Sequence, residues 1–275
     1  MLRRYILNKT NTFINYRYAS QSMLQSTIDD KLGIATLVMN KPPVNSLNLE
    51  FLEEIKSQLT QFKNDKIRGM ILTSDLQKIF CAGLDITEFS NPNPERLSKI
   101  CTTFQDTWLA LYLTQFPTVA VINGHSPAGG CLLAMSCDYR VMVGPNYTIG
   151  LNETKLGIVA PKWFQDCMVA VIGQRKAEVS LTTGKMYTTD QALQIGLVDE
   201  SVPDVDNAIN KGIQFLNNFQ KISPWAYKMT KDIRRQPTVQ WLIDNKQKDL
   251  DFVVKSMMSP NVQKSIGLYL QSLKK

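Results

Sequence analysis

One carboxylate stands in a setting that suits proton chemistry. Glu153 lies in the segment GLNETKLGIVAP, residues 150–161, just before an apolar turn that Gly157 and Pro161 indicate. A glutamate held among apolar side chains has its pKa raised toward neutrality, which suits a general acid or base. Most glutamates are instead exposed to solvent, so the residue type alone favours a solvated side chain at a turn.

Two glycine-containing loops each follow a probable strand and precede a probable helix. FCAGLDI, residues 80–86, comes after RGMILTS, and NGHSPAGGCLLAM, residues 123–135, comes after TVAVI. Glycines at such turns leave backbone N–H groups pointing into the neighbouring cleft, where the helix dipole favours negative charge. Two converging N–H donors form an oxyanion hole, which stabilises a carbonyl oxygen that gains charge in a transition state. Taken singly, each loop is better explained as a closed turn.

The elements around these loops alternate between strands and helices. Short β-branched runs predict strands at 34–40, 68–74, 118–122 and 139–143. Apolar residues at helical spacing predict helices between the first two runs and over about 95–115. This alternation predicts an α/β fold. Residues 204–275 carry apolar stripes with few loop signals, which indicates a helical region for packing or assembly.

The first 27 residues have the composition of a mitochondrial transit peptide. They contain Arg3, Arg4, Lys9 and Arg17, many hydroxyl and amide side chains, and no acid before Asp29. We therefore expect a protein of the mitochondrial matrix; an ordinary disordered tail is the alternative. This segment carries four of the seven surplus positive charges, so the remainder has a net charge of +3 and does not demand nucleic acid. No apolar run is long enough to predict membrane insertion.

The chain offers little material for metal or nucleophilic chemistry. Its five cysteines fit neither a zinc site nor a redox pair, so we expect buried thiols in a reducing compartment. Its single histidine, His125, is better explained as a loop or packing residue than as a catalyst. If the protein is an enzyme, a carboxylate and backbone amides must do most of the chemistry. No metal site is predicted.

Together, the two loops and the acid segment resemble the crotonase, or enoyl-CoA hydratase/isomerase, superfamily. FCAGLDI, PTVAVINGHSPAGGCLLAMSCDYRV and YTIGLNETKLGIVAP are similar to that family in order and spacing, from about residue 28 to the end. The resemblance implies a crotonase-like spiral of ββα units over 28–203, a helical C-terminal assembly region over 204–275, a homotrimer, and acyl-CoA thioester substrates. It places the oxyanion-hole N–H groups on Leu84 and Gly129. It also assigns substrate binding to Ala82, Gly83, Leu84, Asp85, Ile86, Gly129 and Asn152.

The resemblance also implies the type of reaction. Hydratases of the family carry one glutamate directly after GGC and one ahead of LG, but the first position here is Leu132 and only Glu153 remains. A single carboxylate can shuttle a proton but does not easily hold and activate water. GLNETKLGI is similar to the mitochondrial Δ3,Δ2-enoyl-CoA isomerases, in which this glutamate is the sole acid-base residue. We therefore predict that Glu153 moves a proton from C2 to C4 of a 3-enoyl-CoA, in the β-oxidation of unsaturated fatty acids, with no metal or redox cofactor.

Two further groups of residues are expected around this chemistry. Four leucines would supply the apolar surroundings that raise the pKa of the catalytic acid: Leu132, Leu133, Leu151 and Leu156. The CoA phosphates need cations, and one basic face of a predicted helix carries Lys228, Lys231 and Arg235. More often, a basic face of this kind is simply solvated.

Other activities remain open at this point. A hydratase, a dienoyl-CoA isomerase and a thioester hydrolase are alternatives within the same superfamily. A non-catalytic, RNA-binding protein of crotonase fold is the alternative from a different class. It would require clustered Lys and Arg interleaved with aromatic residues, and the modest charge of residues 28–275 gives it little support. We therefore expect an acyl-CoA partner and no nucleic acid.

Overall fold

The structure, a computed structural model, describes residues 22–65 and 67–272. Residues 1–21 of the predicted presequence, which spans residues 1–27, therefore lie outside the described residues. Strand β1 (Leu24–Asp29) includes residues 24–27 of that segment. The sheet thus begins ahead of the boundary that composition suggested.

The described strands form two sheets. The other strands are β2 (Ile34–Met39), β3 (Gly69–Ser74), β4 (Lys78–Ile79), β5 (Thr118–Ile122), β6 (Gly124–Pro127), β7 (Tyr139–Val143), β8 (Thr148–Gly150), β9 (Tyr187–Thr188) and β10 (Glu200–Val202). The larger sheet has the order β1-β2-β3-β5-β7-β10, in which only the β1–β2 pair is antiparallel. The smaller has the order β4-β6-β8-β9, with β8 and β9 antiparallel.

Helices occupy the connections and the whole C-terminal part of the described chain. They are α1 (Leu49–Asn64), α2 (Pro94–Tyr112), α3 (Gly129–Ser136), α4 (Lys162–Ile172), α5 (Gln174–Thr183), α6 (Thr189–Ile195), α7 (Val205–Asn217), α8 (Pro224–Met257) and α9 (Pro260–Ser272). There are two 3-10 helices among the described residues. The first, Ile86–Phe89, follows the first glycine loop, and the second, Glu153–Leu156, begins with the predicted catalytic acid. None of the described helices has the length and apolarity needed to cross a bilayer.

The chain repeats the order strand, strand, helix. In the units β3-β4-α2, β5-β6-α3 and β7-β8-α4, the first strand joins the larger sheet and the second joins the smaller sheet. This is the ββα repeat that the resemblance implies, and the α/β prediction is confirmed. Because parallel strands end at the same edge of a sheet, the segments that follow β3, β5 and β7 emerge together. These segments are the two glycine loops and the acid segment.

The central parallel strands of the larger sheet are buried on both faces, as parallel strands require, whereas the antiparallel edge strand β1 is largely exposed. Val119, Val121 and Val141 face a small core that α7 covers, whereas Ala120 and Met142 face the main core. The alternation follows from the two-residue period of a strand. The sheet is therefore a rigid support for the loops at its edge.

Candidate active site

A cavity of about 510 Å³ lies where the three loops meet the C-terminal helices. Leu84 and Gly129 from the glycine loops and Glu153 from the acid segment all contribute to its wall, and side chains of α2, α4, α8 and α9 complete it. Most of these side chains are apolar, and the volume is in the range of roughly 300–1,000 Å³ that small-molecule sites occupy. The segments that sequence analysis singled out thus share one cavity.

The backbone N–H groups of Leu84 and Gly129 are neighbours on this wall. A β-carbon added to Gly129 would lie 3.4 Å from the nitrogen of Leu84, and one added to Gly83 would lie 2.8 Å from the nitrogen of Gly129. Leu84 pairs with Leu47 in an isolated parallel β-bridge. In this bridge Leu47 N–H donates to the carbonyl oxygen of Gly83, and Asp85 N–H donates to the carbonyl oxygen of Leu47, so the N–H of Leu84 takes no part in the pairing. Gly129 begins α3, where the first N–H groups have no intrahelical acceptor. The two donors can therefore serve one ligand oxygen.

The close approach of the two loops depends on residues without a bulky side chain. Gly83 has a φ of +84°, in the left-handed region that glycine adopts without strain. A β-carbon on Gly130 would lie 2.1 Å from the carbonyl oxygen of Cys81, so only glycine fits there. Ala128, directly before α3, holds a φ of +48°, which is costly for a residue with a side chain. Such strain is typical of functional sites, and here it sets the direction of the Gly129 N–H.

Glu153 is a buried acid with an unengaged oxygen. Its side chain is 8% exposed, and its Oε2 atom has no hydrogen-bond partner among the described residues. Burial raises the pKa of Glu153 from 4.5 to about 7. Its position is fixed through the backbone, because Ile158 N donates to its carbonyl oxygen at 3.0 Å and Gly157 ends the 3-10 helix in the left-handed conformation. The carboxyl group is therefore held in place while remaining free to exchange a proton near neutral pH.

The remaining predicted substrate-binding residues lie beside these groups. Ala82, Asp85, Ile86 and Asn152 line the cavity, whereas Gly83 lies behind the wall. Although burial alone would raise the pKa of Asp85, hydrogen bonds from Thr87 and Ser46 and the nearby charge of Lys41 hold it below its usual value. Asp85 thus stays ionised as the cap of the first 3-10 helix. The Oδ1 atom of Asn152 is buried, has no hydrogen-bond partner among the described residues, and provides an acceptor next to the acid in sequence.

The comparisons with known proteins agree with this geometry. The family model described as enoyl-CoA hydratase/isomerase matches residues 29–275. The chain belongs to the enoyl-CoA hydratase/isomerase family. A crystal structure of human mitochondrial delta3-delta2-enoyl-CoA isomerase superposes with a TM-score of 0.90 at 39% identity, covering 92% of this chain and 98% of that one. The crotonase-like fold is thereby confirmed.

Two curated relatives in this family share the same name. The mitochondrial enoyl-CoA delta isomerase 1 of Mus musculus is 42% identical over 94% of this chain and 89% of its own length. The Homo sapiens protein of that name is 40% identical over 94% of this chain and 85% of its own length. A solved enoyl-CoA hydratase from Bacillus halodurans has a TM-score of 0.81 at 19% identity, covering 90% of this chain and all of that one, and its similarity shows the fold alone.

The four leucines expected around Glu153 differ in their relation to the cavity. Leu132, Leu133 and Leu151 are fully buried but do not form part of the cavity wall, whereas Leu156 does. Leu132, at the position where hydratases of the family carry an acid, is core. Side chains of α2, α4, α8 and α9 supply further parts of the cavity wall.

The three cations of the predicted basic face have different surroundings in the structure. Lys231 and Arg235 do not contact the cavity, and neither is solvated, because both turn inward onto Asp138, at 3.0 and 2.8 Å. Lys228 forms a half-exposed ion pair with Asp232 on the same helix. Helical spacing placed the three cations on one face, but the buried partner of two of them comes from a segment some 90 residues earlier in the chain.

Several cavity residues were not predicted at all. Gln105, Trp163 and Asp249, from α2, α4 and α8, line the cavity, as do Tyr269 and Leu270 of α9. The C-terminal region is helical as predicted, but it also builds the site. The one signal in the sequence was an aspartate, Asp249, within a long predicted helix. In the sequence such a residue cannot be distinguished from a surface acid, because its burial depends on how the helix packs.

His125 is a packing residue, and the cysteines are buried thiols, as expected; the reducing compartment stays a prediction. His125 lies in β6, where its Nδ1 atom accepts a hydrogen bond from Thr148 N at 3.1 Å and its ring packs edge-on against Tyr147. All five cysteines are buried and free. Cys101 lines the cavity, and its burial raises the pKa of the thiol to about 12, so it is neutral at physiological pH.

Proposed function

We propose that this protein is a Δ3,Δ2-enoyl-CoA isomerase that converts 3-enoyl-CoA to trans-2-enoyl-CoA. The observation that carries the proposal is one buried carboxyl group with a free oxygen, Glu153, in the same apolar cavity as two converging backbone N–H groups. Relatives named enoyl-CoA delta isomerase that are 40% and 42% identical over 94% of the chain support it.

The proton transfer uses Glu153 twice. In its ionised form the carboxylate removes a proton from C2 of the substrate, where the thioester and the C3–C4 double bond both acidify the C–H bond. The electron pair moves onto the thioester oxygen and gives a dienolate. The carboxylic acid then returns the proton to C4, which leaves a double bond between C2 and C3. A pKa of about 7 suits both directions of transfer at neutral pH.

The two amides act on the oxygen of the dienolate. Leu84 N–H and Gly129 N–H donate to the thioester oxygen, which carries more negative charge in the dienolate than in the substrate. Donors that are already oriented need no reorganisation as this charge develops, so they stabilise the transition state more than the ground state. The reaction as written needs neither a metal nor a redox cofactor, since coenzyme A belongs to the substrate.

Hydration is the alternative reaction, and the other cavity acids argue against it. A hydratase needs a second carboxylate to orient water, and the position of that acid is taken by Leu132, which is packed in the core. Two other acids among the described residues line the cavity. Asp85 is engaged with Ser46 and Thr87, and Asp249, on α8, accepts hydrogen bonds from Gln105 and Trp163. Isomerisation by a single acid therefore fits the site better than addition of water.

The test is conversion of 3-hexenoyl-CoA to trans-2-hexenoyl-CoA, followed by the absorbance of the conjugated product. We expect rapid conversion by the native chain and a loss of about 10²–10⁴-fold in Glu153→Gln. The matched control is Glu178→Gln, since Glu178 is exposed, pairs only with Arg175 in its own helix, and lies outside the cavity. Conversion that survives in Glu153→Gln, or hydration of 2-hexenoyl-CoA faster than isomerisation, would refute the proposal.

We infer in addition that the protein works as a homotrimer in the mitochondrial matrix. One face of α8 exposes Trp225, Met229 and Ile233 at a spacing of four residues, and Trp225 is 72% exposed. A continuous apolar stripe of this kind favours an interface between copies. The relatives named mitochondrial, with the basic and acid-free first residues of this chain, support the compartment.

Both inferences have direct measurements. Light scattering coupled to size exclusion gives the mass of the assembly, and we expect three copies in the native chain and a smaller species in Ile233→Glu. A native chain that elutes as a monomer would contradict the trimer. For the compartment, import of the full chain into isolated mitochondria with removal of its first residues is expected, and a protein left outside or in the intermembrane space would contradict a matrix location.

A further inference from the structure

A buried polar group sits within the apolar part of the cavity, away from the reacting acid in sequence and on different elements. Asp249 of α8 is 7% exposed and Gln105 of α2 is 2% exposed, and both line the cavity. Gln105 Nε2 donates to Asp249 Oδ2 at 2.8 Å, and Trp163 Nε1 donates to the same oxygen at 3.1 Å. Their neighbours on the cavity wall include Phe104 and Phe164, so the group is set among aromatic side chains.

Asp249 lacks the partner that a buried carboxylate normally has. None of the ion pairs within residues 22–65 and 67–272 includes it, and the nearby Lys246 pairs instead with Asp106 on the outer side of α2. Burial of an unpaired carboxylate is costly, and an apolar residue of similar size would pack here without that cost. Packing alone therefore does not account for an aspartate at this position.

Two acceptor atoms of the group are unused. Gln105 Oε1 is buried and has no hydrogen-bond partner among the described residues. Across the same described residues, both donors to Asp249 bind Oδ2, which leaves Oδ1 without one. Gln105 spends its Nε2 donor on Asp249 and on the carbonyl of Lys246 at 3.4 Å. The pair therefore has more hydrogen-bond acceptors than donors, and a ligand in the cavity would have to supply the missing donor.

We propose that Asp249 and Gln105 form a specificity site that recognises a hydroxyl group on the acyl chain. A chain that carries a hydroxyl at the depth of this pair donates to Asp249 Oδ1 or Gln105 Oε1, whereas a hydrocarbon chain of equal length covers the acceptors and leaves them unpaired. A site built from polar groups discriminates strongly against a ligand that lacks the matching donor. The enzyme therefore accepts hydroxylated acyl-CoA thioesters in preference to hydrocarbon ones once the chain is long enough to reach the pair.

The inference rests on acyl-CoA binding as part of the proposed function, so the test uses saturated ligands that cannot react. Isothermal titration compares ω-hydroxyacyl-CoA with the n-acyl-CoA that has a methyl group in place of the hydroxyl, in pairs from short to long chains. We expect equal affinities for short chains and a preference of about tenfold for the hydroxyl at one or two longer lengths. Equal affinities at every length would overturn the proposal, even if 3-hexenoyl-CoA is isomerised normally.

Variants assign the preference to this pair of side chains. Asp249→Asn keeps the shape and replaces one acceptor by a donor group, and Gln105→Met removes the orphaned acceptor. Each is expected to reduce the affinity ratio between the two members of a ligand pair by about threefold or more. The matched control is Asp106→Asn, one residue away from Gln105 but on the outer side of α2, which is expected to keep it. A preference that both cavity variants retain, or that Asp106→Asn also loses, would contradict the assignment.

Absence of the proposed isomerase activity would be seen separately. If the native chain binds acyl-CoA with the expected hydroxyl preference but does not isomerise 3-hexenoyl-CoA, the proposed reaction is wrong and the recognition site stands. If it binds no acyl-CoA at all, both are wrong. Loss of Trp163 orientation alone would lower the affinity for both members of a ligand pair, so the ratio between them separates recognition from a purely structural role.

Discussion

Glu153 should make the stability of the protein depend on pH in a way that one substitution removes. Burial raises the pKa of Glu153 from 4.5 to about 7 in the folded state. Between these two values the folded protein keeps a proton that the unfolded chain has already released, so the folded state binds more protons. The contribution of Glu153 to the free energy of unfolding therefore falls as the pH rises from 4.5 to about 7, and this contribution is constant above that range.

The size of the effect follows from the two pKa values. A rise from 4.5 to about 7 corresponds to about 3 kcal/mol between the protonated and the ionised forms. Glu153→Gln has nearly the same shape but no ionisation, so it removes this pH dependence and adds only a constant offset. We expect the stability of Glu153→Gln relative to the native chain to increase by about 3 kcal/mol between pH 4 and pH 8.

Urea unfolding of both proteins at several pH values measures this difference, because other titrating groups are common to both and cancel. The same ionisation should control catalysis, since only the carboxylate can accept the proton from C2. The value of kcat/KM for 3-hexenoyl-CoA is expected to rise about tenfold from pH 6 to pH 8 and then to level off.

Two results would refute the reasoning. Stability curves of the native chain and Glu153→Gln that run parallel from pH 4 to pH 8 would show that Glu153 is solvated in the folded state. A kcat/KM that is independent of pH between 6 and 8 would show that no group with a pKa near 7 acts as the base. Either outcome would remove the physical basis for assigning the proton transfer to Glu153.

Two further predictions concern the amide pair and the cations of α8. Gly83→Ala should lower kcat about 10²-fold, because the new methyl group presses on the second amide of the pair. Both Gly83→Ala and Gly173→Ala place a side chain at a positive φ and should destabilise the fold by about 1 kcal/mol or more, but Gly173 has nothing nearby and its change should leave kcat unaltered. Equal effects of the two changes on kcat would refute this. Lys231→Ala should lower the free energy of unfolding by about 3 kcal/mol, because it removes a buried partner of Asp138, and Lys228→Ala by less than about 0.5 kcal/mol. Neither lysine change should alter the KM for acyl-CoA, and a raised KM in Lys231→Ala would restore a role in CoA binding.

The larger strands were predictable because their cause is local. Buried parallel strands require continuous β-branched runs, and the runs at 34–40, 68–74, 118–122 and 139–143 correspond to β2, β3, β5 and β7. The strands β4, β6, β8 and β9 were not predicted, since none is longer than four residues and their pairing comes from the neighbouring segments rather than from their own composition. β6 therefore looked like part of a glycine loop.

Within the site, the sequence by itself determined the local chemistry. It placed glycines where φ is positive or the backbone must approach closely, and it placed Glu153 ahead of an apolar turn. The resemblance of these segments to the family then assigned the roles of Leu84, Gly129 and Glu153. These residues lie in three segments that follow parallel strands, and the sheet brings them to one edge whatever the rest of the chain does.

Only the tertiary structure decided how the cavity is closed and which charges are buried. Asp249 and Gln105 are 144 residues apart and meet because α8 packs against α2, and Lys231 is withdrawn from solvent by Asp138, 93 residues earlier. A helical pattern fixes which side chains share a face, but it does not fix what that face packs against. Long-range packing therefore turned an expected assembly region into part of the cavity wall, and an expected phosphate-binding face into a buried ion-pair cluster.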